Sequence, residues 1–540
     1  MSTPGSKFAL TAALALAWAV PANGQPEEVP TARPPVAQQS DPGLPESQSP
    51  TSVVPGKVQV NRFQMSGKSD LLTESEFRSV VDRFEGRPLA VEEMQQVAQA
   101  LTDLLKSKGY FLARVLLPVQ EVKDGEVRLE LLPGSIGKIT VEGNQAYSSE
   151  FIQDTVESAL GPGRVVTEED LQRKLLLLND NTDLFVTALF QPGTEKGQAD
   201  LTLAVEDSTP IHGGLGYDNF GTQFTDIHRV SPHLSLGNVF SDGDTLAARY
   251  LLGLPDNRAN FLQANYSTLV DLDGSRLSLS YANGASTLGQ DLQVLDIRGR
   301  ANIYALTYSH PLQRTQTQRQ DLTVGYSYKQ FDNSLLGLAT GQDRYHSLRL
   351  GYSGDFSDLD GRTLLGAALT QGLGGSTLNS SLGRLGVNAG FTKLNLDVAR
   401  IQNIDTPFFL VLRASGQWTP APIFAAEQFA LGGVDSVRGF NQAQFLGDVG
   451  YSLSAEARWV PWEERRDVQF AAFIDHGYAS VLQPQPGQLA SQSLTGAGLG
   501  VRFNVGPAAQ LRLDVGWPLS PGVNLSGDKP VYYGQVYTRF

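Results

Sequence analysis

Side chains that could make or break a covalent bond are few and poorly spaced in this sequence. Its 540 residues include no cysteine, which removes thiolate nucleophiles, thiolate metal sites and disulfides. The six histidines, His212, His228, His233, His310, His346 and His476, follow no metal-ligand spacing. Gly67-Lys68-Ser69 mimics the end of a phosphate-binding loop, but Arg62 stands where the first glycine of that motif belongs, and a turn after a strand accounts for it. Gly496, Gly498 and Gly500 recur at period two, which suits a strand in a narrow or curved wall better than a dinucleotide-binding turn. No nucleophile motif supports a serine–histidine hydrolase. The expectation is therefore no catalytic residue, no metal and no cofactor, and a mechanism made of binding.

Acids outnumber bases 56 to 42, for a formal net charge of -14, which gives no electrostatic reason to expect nucleic acid as a partner. Hydrophobic content of 41% is ordinary and separates neither a soluble enzyme from a polar-lumened barrel nor the reverse. The length calls for several domains.

Lys7 precedes an apolar run from Phe8 to Val20, and Ala22-Asn23-Gly24 offers small residues for cleavage before Gln25, so residues 1–24 read as an export signal. The run is shorter than the roughly 20 residues a spanning helix needs. From Gln25 to Gly56, eight of 32 residues are proline, which marks a linker too poor in apolar surface to fold.

Two small α+β domains of one design are expected next, at 57–134 and 135–208. In the first, Val58 to Phe63 reads as a strand. Thr73 with Glu76 forms a capping box, and Phe77, Val80, Val81 and Phe84 share a helix face. A second helix carries Met94, Val97, Ala98, Leu101 and Leu105, and strands from Ala113 to Val122 and from Gly125 to Leu132 follow around the Lys123-Asp124-Gly125 turn. The order strand, helix, helix, strand, strand recurs about 80 residues on, which argues for tandem modules. Such modules leave a strand edge on which an incoming peptide can pair, although an exposed edge is also what a plain spacer shows.

From about Thr209 to Phe540 the pattern changes to segments of about ten residues that alternate apolar and polar, separated by Gly, Asn, Asp and Pro clusters. Leu277, Leu279 and Tyr281 alternate with Ser278 and Ser280. Leu453, Ala455, Ala457 and Trp459 oppose Ser452, Ser454, Glu456 and Arg458, and Leu511, Leu513, Val515 and Trp517 oppose Arg512, Asp514 and Gly516. A soluble antiparallel sandwich also alternates. The length of the pattern and the aromatics near segment ends favour an antiparallel transmembrane β-barrel of about sixteen strands. Its last strand, which includes Gly534 and ends at Phe540, resembles the insertion signal of outer-membrane barrels, with Thr538 where that signal usually has a bulkier apolar residue.

Gly109-Tyr110-Phe111-Leu112-Ala113-Arg114-Val115-Leu116-Leu117-Pro118, followed by Gly125-Glu126-Val127-Arg128-Leu129, resembles the first POTRA domain of two-partner secretion transporters. These are outer-membrane channels that export haemolysins and filamentous haemagglutinins. Leu175-Leu176-Leu177-Leu178-Asn179-Asp180 and Gln191-Pro192-Gly193 look like part of the second POTRA domain. Val437-Arg438-Gly439-Phe440 and Phe473-Ile474-Asp475-His476-Gly477 look like the two barrel motifs of the wider superfamily. The resemblance runs from about Val58 to Phe540.

The resemblance implies an outer-membrane location with the POTRA domains in the periplasm. It implies a loop near 420–446 that folds into the lumen, where Arg438 pairs with Asp475 on the wall. Gly439 and Gly477 would let backbone approach closely there. The partner would be a secreted exoprotein bound through its N-terminal secretion domain, with outer-membrane lipids and the barrel-assembly machinery as further partners. Many relatives carry a plug helix ahead of the POTRA domains; here the longest proline-free stretch between Gln25 and Pro50 is Val36 to Asp41, so the plug is very short or missing. Two rivals stand beside secretion: a barrel-assembly factor of the same superfamily, and a plain solute porin.

Overall fold

The computed structural model describes residues 56–540 apart from 68, 161–164, 380–385, 406, 463–466, 507 and 521–528. The expected export signal, the proline-rich linker through Pro55 and any plug within it lie outside the described residues. The chain divides into two compact units, one ending at Thr209 and one running from Pro210 to Phe540.

In the first unit the order strand, helix, helix, strand, strand occurs twice, with an added short strand, Arg87–Leu89, between the helices of the first copy. Arg62–Gly67 lies parallel to Glu126–Leu132, which pairs antiparallel with Arg114–Leu116. Helices Glu74–Val81 and Val91–Ser107 pack Phe77, Val81, Val97, Leu101 and Leu105 against Val127, Leu129 and Leu131 in one core. The capping box forms: the Thr73 hydroxyl accepts from the Glu76 N–H at 3.3 Å, and the Thr73 N–H donates to the Glu76 carboxylate at 2.8 Å. Asp124 and Gly125, both at positive φ, make the expected tight turn.

Two strand expectations need correction. The run from Val58 to Phe63 is broken at Asn61: Val58–Val60 pairs with Arg87–Leu89, and only from Arg62 does the chain join the main sheet. The strand expected through Val122 stops at Leu116, because Pro118 cannot donate to a ladder. Gln120 takes its place, its carboxamide donating to the Arg128 carbonyl at 2.7 Å and accepting from the Arg128 N–H at 2.8 Å.

In the second domain Gln198–Asp207 is the central strand, parallel to Ser135–Glu142 and antiparallel to Leu184–Pro192. Helices Ser149–Leu160 and Glu168–Leu178 bury Ile152, Val156, Leu171, Leu175 and Leu178 against it, and Thr167 caps the second helix by accepting from the Asp170 N–H.

From Pro210 onward sixteen antiparallel strands close into a barrel. In order around the wall they are Ile211–Asp218, His228–Gly237, Thr245–Leu254, Ala259–Leu269, Arg276–Thr287, Arg298–Arg314, Gln318–Leu335 and Leu338–Asp358, then Gly361–Asn379, Thr392–Asp405, Phe408–Trp418, Val449–Trp459, Val468–Ser480, Ser491–Val505, Ala509–Pro518 and Val531–Arg539. The last pairs with the first, which leaves no sheet edge. Across this seam Tyr537 reaches past Gly216 to hydrogen-bond His233 at 2.7 Å.

The period-two pattern sorts as expected for such a barrel. Leu277, Leu279, Leu394, Leu396, Leu453, Leu513 and Trp517 are exposed on the outside, while Glu456, Asp475 and Asp514 are buried on the other face. Connections at the end bearing Ile211 and Phe540 are short, as at 315–317 and 359–360. At the opposite end the longest connection is 419–448, between Phe408–Trp418 and Val449–Trp459.

Candidate functional site: the lumen loop and its anchors

Residues 419–448 turn inward and reach the wall through the short hairpin Phe429–Leu431 with Phe445–Gly447. Leu431, Val437, Phe440 and Phe445 of this segment bury themselves with Ala479, Val481 and Leu494 of the wall end. Apolar burial thus brings the loop to the wall, and polar groups fix its register.

Arg438 is only 2% exposed, so nearly all its donors must be met by protein. Its Nε donates to Asp475 Oδ2 at 2.7 Å and its Nη2 to Asp475 Oδ1 at 2.9 Å, a bidentate grip. Nη1 donates to Glu456 Oε2 at 2.5 Å, and Nη2 also reaches the Ser454 hydroxyl at 3.3 Å. The backbone N–H of Arg438 donates to Asp475 Oδ2 at 3.1 Å, so the carboxylate holds both main chain and side chain. Ser454 donates to Asp475 at 2.7 Å and fixes the acceptor in turn. The Phe473 ring lies under the guanidinium.

The charge cluster extends past this pair. Arg458 donates to Glu456 at 2.7 Å, Arg502 reaches Glu456 at 3.2 Å and Asp514 at 2.6 Å, and Arg512 donates to Asp514 at 2.9 Å. Interleaved signs offset the desolvation that any one of these ions would suffer alone.

Four glycines make room for the loop tip. Gly439 has φ +98°, and a Cβ there would come within 2.8 Å of the Trp517 carbonyl carbon. A Cβ on Gly516 would sit 2.5 Å from the Gly439 nitrogen, one on Gly496 would run into the Arg438 carbonyl oxygen, and one on Gly477 would meet Leu431 at 2.5 Å. The period-two glycines lie on the wall strand Ser491–Val505, and each clears a particular group. Gly496 clears the loop backbone, Gly498 clears the Phe473 ring, and Gly500 clears the Arg502–Asp514 pair.

The closing strand joins the site through Tyr533, whose hydroxyl accepts from the Gly439 N–H at 3.0 Å and donates to the Phe440 carbonyl at 2.6 Å. On the same strand, Gly534 receives the Asn219 side chain on its N–H at 2.8 Å. Phe540 is 79% exposed, its N–H bonded to the Gly213 carbonyl at 2.9 Å.

A second anchor lies at the root of the loop, and sequence reasoning missed it. Glu427 is buried between Lys329 at 2.5 Å and Lys393 at 2.6 Å, and it accepts from the Tyr345 hydroxyl at 2.8 Å. Gln417 donates to the Glu427 carbonyl at 3.0 Å. Phe424 stacks on Tyr345, ring centres 4.2 Å apart, within an apolar cluster that includes Phe331, Phe391 and Ile423. The loop is therefore held to strands on both sides of its point of insertion. Glu427 lies in a stretch without a motif, and its two lysines are 34 and 98 residues from it in sequence, so the only signal in the sequence was one acid in an apolar run. Glu456, Arg458 and Asp514 were legible as members of a polar face, but not their pairing.

A closed sixteen-strand barrel with an inward-bound loop, behind α+β modules, defines a transport barrel of the outer-membrane type. A family model described as haemolysin secretion/activation protein ShlB/FhaC/HecB matches residues 197–503, and one described as POTRA domain, ShlB-type, matches residues 58–134. Among curated relatives, the heme/hemopexin transporter protein HuxB of Haemophilus influenzae (strain 86-028NP) is 21% identical over 480 residues, covering 86% of this chain and 84% of the relative. The outer membrane transporter CdiB of Dickeya dadantii (strain 3937) is 23% identical over 481 residues, covering 87% and 85%. Among solved structures, CdiB from Escherichia coli aligns over 100% of this chain and 99% of its own at a TM-score of 0.73 and 21% identity. BamA from Haemophilus ducreyi lacking POTRA domains 1–3 aligns over 90% and 100% at 0.53 and 12%; both are likenesses of fold. The chain belongs to the haemolysin secretion/activation protein family. It is an outer-membrane two-partner secretion transporter, with POTRA structure on the periplasmic side, that translocates a partner exoprotein. Family membership favours this over barrel assembly and over a solute porin.

Proposed function

We propose that 57–134 and 135–208 act as two POTRA domains and that the second captures the exoprotein's N-terminal secretion domain by strand addition. The supporting observation is the difference between the available edges. In the first domain the outer strand Arg114–Leu116 is only three residues long, and past its end the Gln120 carboxamide takes the Arg128 backbone of the central strand. In the second, Leu184–Pro192 is an outer strand of nine residues without a charge; on its far side the Asn179 carboxamide takes the N–H and carbonyl of Val186, and among the described residues no strand pairs with that side. The opposite outer strand, Ser135–Glu142, carries Lys138 and Glu142, the kind of residues that discourage pairing. Main-chain hydrogen bonds beyond Val186, along 187–192, would supply affinity, and exposed Leu189 an apolar contact.

The captured segment enters the lumen when the loop releases Asp475, and folding outside the cell gives direction. Arg438 with Asp475 is the tip anchor of the resting loop. Val437 and Phe440 are its apolar footing, with Gly439, Phe473 and Gly477 fitting the tip to the wall. Gly534 and Phe540 serve in biogenesis, as the part of the closing strand that the barrel-assembly machinery reads, and outer-membrane lipids cover the exposed leucines.

The edge is tested by Thr187→Pro and by Ala188→Pro, one of which removes an outward N–H. Loss of exoprotein from the medium with normal barrel insertion is the expected result. Full secretion by both variants would refute capture at this strand.

A further inference from the structure

The two halves of the lumen wall are chemically unlike. The twelfth to fifteenth strands carry Arg438's partners and the Arg and carboxylate cluster described above. Eight places round the sixteen-strand ring, and so across the lumen from them, stand the fourth to seventh: Ala259–Leu269, Arg276–Thr287, Arg298–Arg314 and Gln318–Leu335.

Register fixes which side chains of these four strands face inward. Lys329, which binds Glu427 of the loop, is inward, so Ser327, Gly325 and Thr323 are too, and pairing carries the same face to Thr307, Ser278 and Ser267. Exposed Leu279, Leu306 and Val324 lie on the other face. Between Lys329 at one end and Arg276, with the Arg314–Asp321 pair, at the other, the inward positions are Ser, Thr, Gly, Ala and Asn, with no charge among the described residues; Thr323 is level with Arg276, whose guanidinium donates to the Gly243 carbonyl at 2.9 Å. The hydroxyls engage one another along the wall: Ser278 with Ser267 at 3.1 Å, Ser280 with Asn265 at 2.7 Å, and Ser327 with Ser347 of the next strand at 2.8 Å. These residues are neither buried under the loop nor bulky.

From this opposition, and resting on the transport reading, we infer that the neutral wall is the track along which the exported chain slides in extended form, while the charged wall is reserved for the loop. An extended polypeptide in a pore has main-chain N–H and C=O groups that need partners at every residue. A hydroxyl both donates and accepts, so Ser278, Ser280, Thr307, Thr323 and Ser327 serve any stretch of backbone whatever its sequence. Short side chains leave the lumen width to the cargo. A wall without charge also holds no acidic or basic residue of the cargo in a trap, and conduction requires sites that bind weakly enough to release. The tip anchor of the loop lies on the opposite strands and Lys329 at one end of this sector, so the track needs no rearrangement of the charge cluster itself.

The test places a photoreactive benzoylphenylalanine at position 280, 307 or 323, one at a time, in the full chain in secreting cells, with position 415 on the eleventh strand as the comparison. Irradiation during export should give an adduct whose second component is the protein found in the medium, at least about fivefold stronger at the three track positions than at 415. In parallel, Ser280→Arg and Thr323→Arg should each lower secretion about tenfold, a rise of about 1.4 kcal/mol in the barrier, with the barrel still inserted. Adducts that favour 415, adducts formed only with residues 25–55 of the same chain, or normal secretion by both arginine variants would overturn the track. Absence of any exoprotein from the medium of the unmodified strain would instead overturn the transport reading on which it rests.

Discussion

The guanidinium carbon of Arg438 lies 3.3 Å from the centre of the Phe473 ring. Phe473 and Asp475 are alternate residues of one strand and face the same way, so one short segment supplies both the surface that stacks and the carboxylate that grips. A lysine could meet one of these demands and not both. Arg438→Lys is predicted to lower exoprotein secretion at least tenfold, and Phe473→Leu, which removes a cation–π contact of about 1–2 kcal/mol, by a smaller factor. Quantifying exoprotein in the medium against the amount of inserted barrel checks the order of the two.

Glu427 supplies an independent test of the loop's root. Glu427→Gln leaves buried Lys393 and half-buried Lys329 with an uncompensated charge, a local cost of about 3–5 kcal/mol. The root should detach while the Arg438 tip stays bound. Planar-bilayer recordings are predicted to show more frequent or longer openings than the unmodified chain gives, and an unchanged trace would remove the second anchor from the account.

The glycine contacts predict a steric phenotype with no change of charge. Gly496→Ala places a methyl group against the Arg438 carbonyl, and Gly439→Ala forces an L side chain into φ +98° beside Trp517, a strain of about 1–3 kcal/mol. Both should increase protease cleavage within 429–447 on intact cells. Gly374→Ala also meets a positive φ but has open space around it and should leave that cleavage unchanged.

In the N-terminal domains the pH response has a defined sign. Glu76 is held at a pKa of about 2, against 4.5 ordinarily, chiefly by the Thr73 N–H and then by the Lys108 ammonium and the Thr73 hydroxyl. Asp207 is also lowered: burial pushes it up, but the N–H groups of Gln145, Ala146 and Tyr147 outweigh that. A carboxyl whose folded value is depressed stabilises the fold above its unfolded pKa, and that contribution is lost as pH falls from about 4.5 towards 2. All the described α-helices lie between Glu74 and Leu178, so the 222 nm circular dichroism of the detergent-solubilised chain reports these domains. Its acid transition is predicted to flatten in Glu76→Gln.

Period and punctuation made most of this architecture legible. Alternation at Leu277 and Leu279 or Leu511 to Trp517 announces a two-faced strand from local spacing alone, and Thr73 with Glu76 announces a helix start. What spacing cannot carry is a partner across the ring. Asp475 was singled out only because its neighbours resemble a motif, while Glu427, equally buried and equally paired, sits in no motif and meets Lys329 only after sixteen strands have closed. The strand expected through Val122 failed for a local reason: a side chain, Gln120, satisfies the backbone that a longer strand would have paired. The glycines at 496, 498 and 500 were visible, but what each one clears arrives from distant segments.

The grip of Arg438 on Asp475 as the hold on a protein-conducting pore is tested most directly by exoprotein export in an Arg438→Ala strain, measured per inserted barrel. The account predicts a barrel that still inserts and shows heat-modifiable mobility, with exoprotein in the medium reduced at least about tenfold, as loss of a buried bidentate pair implies. Secretion at the unmodified level from that strain would contradict it.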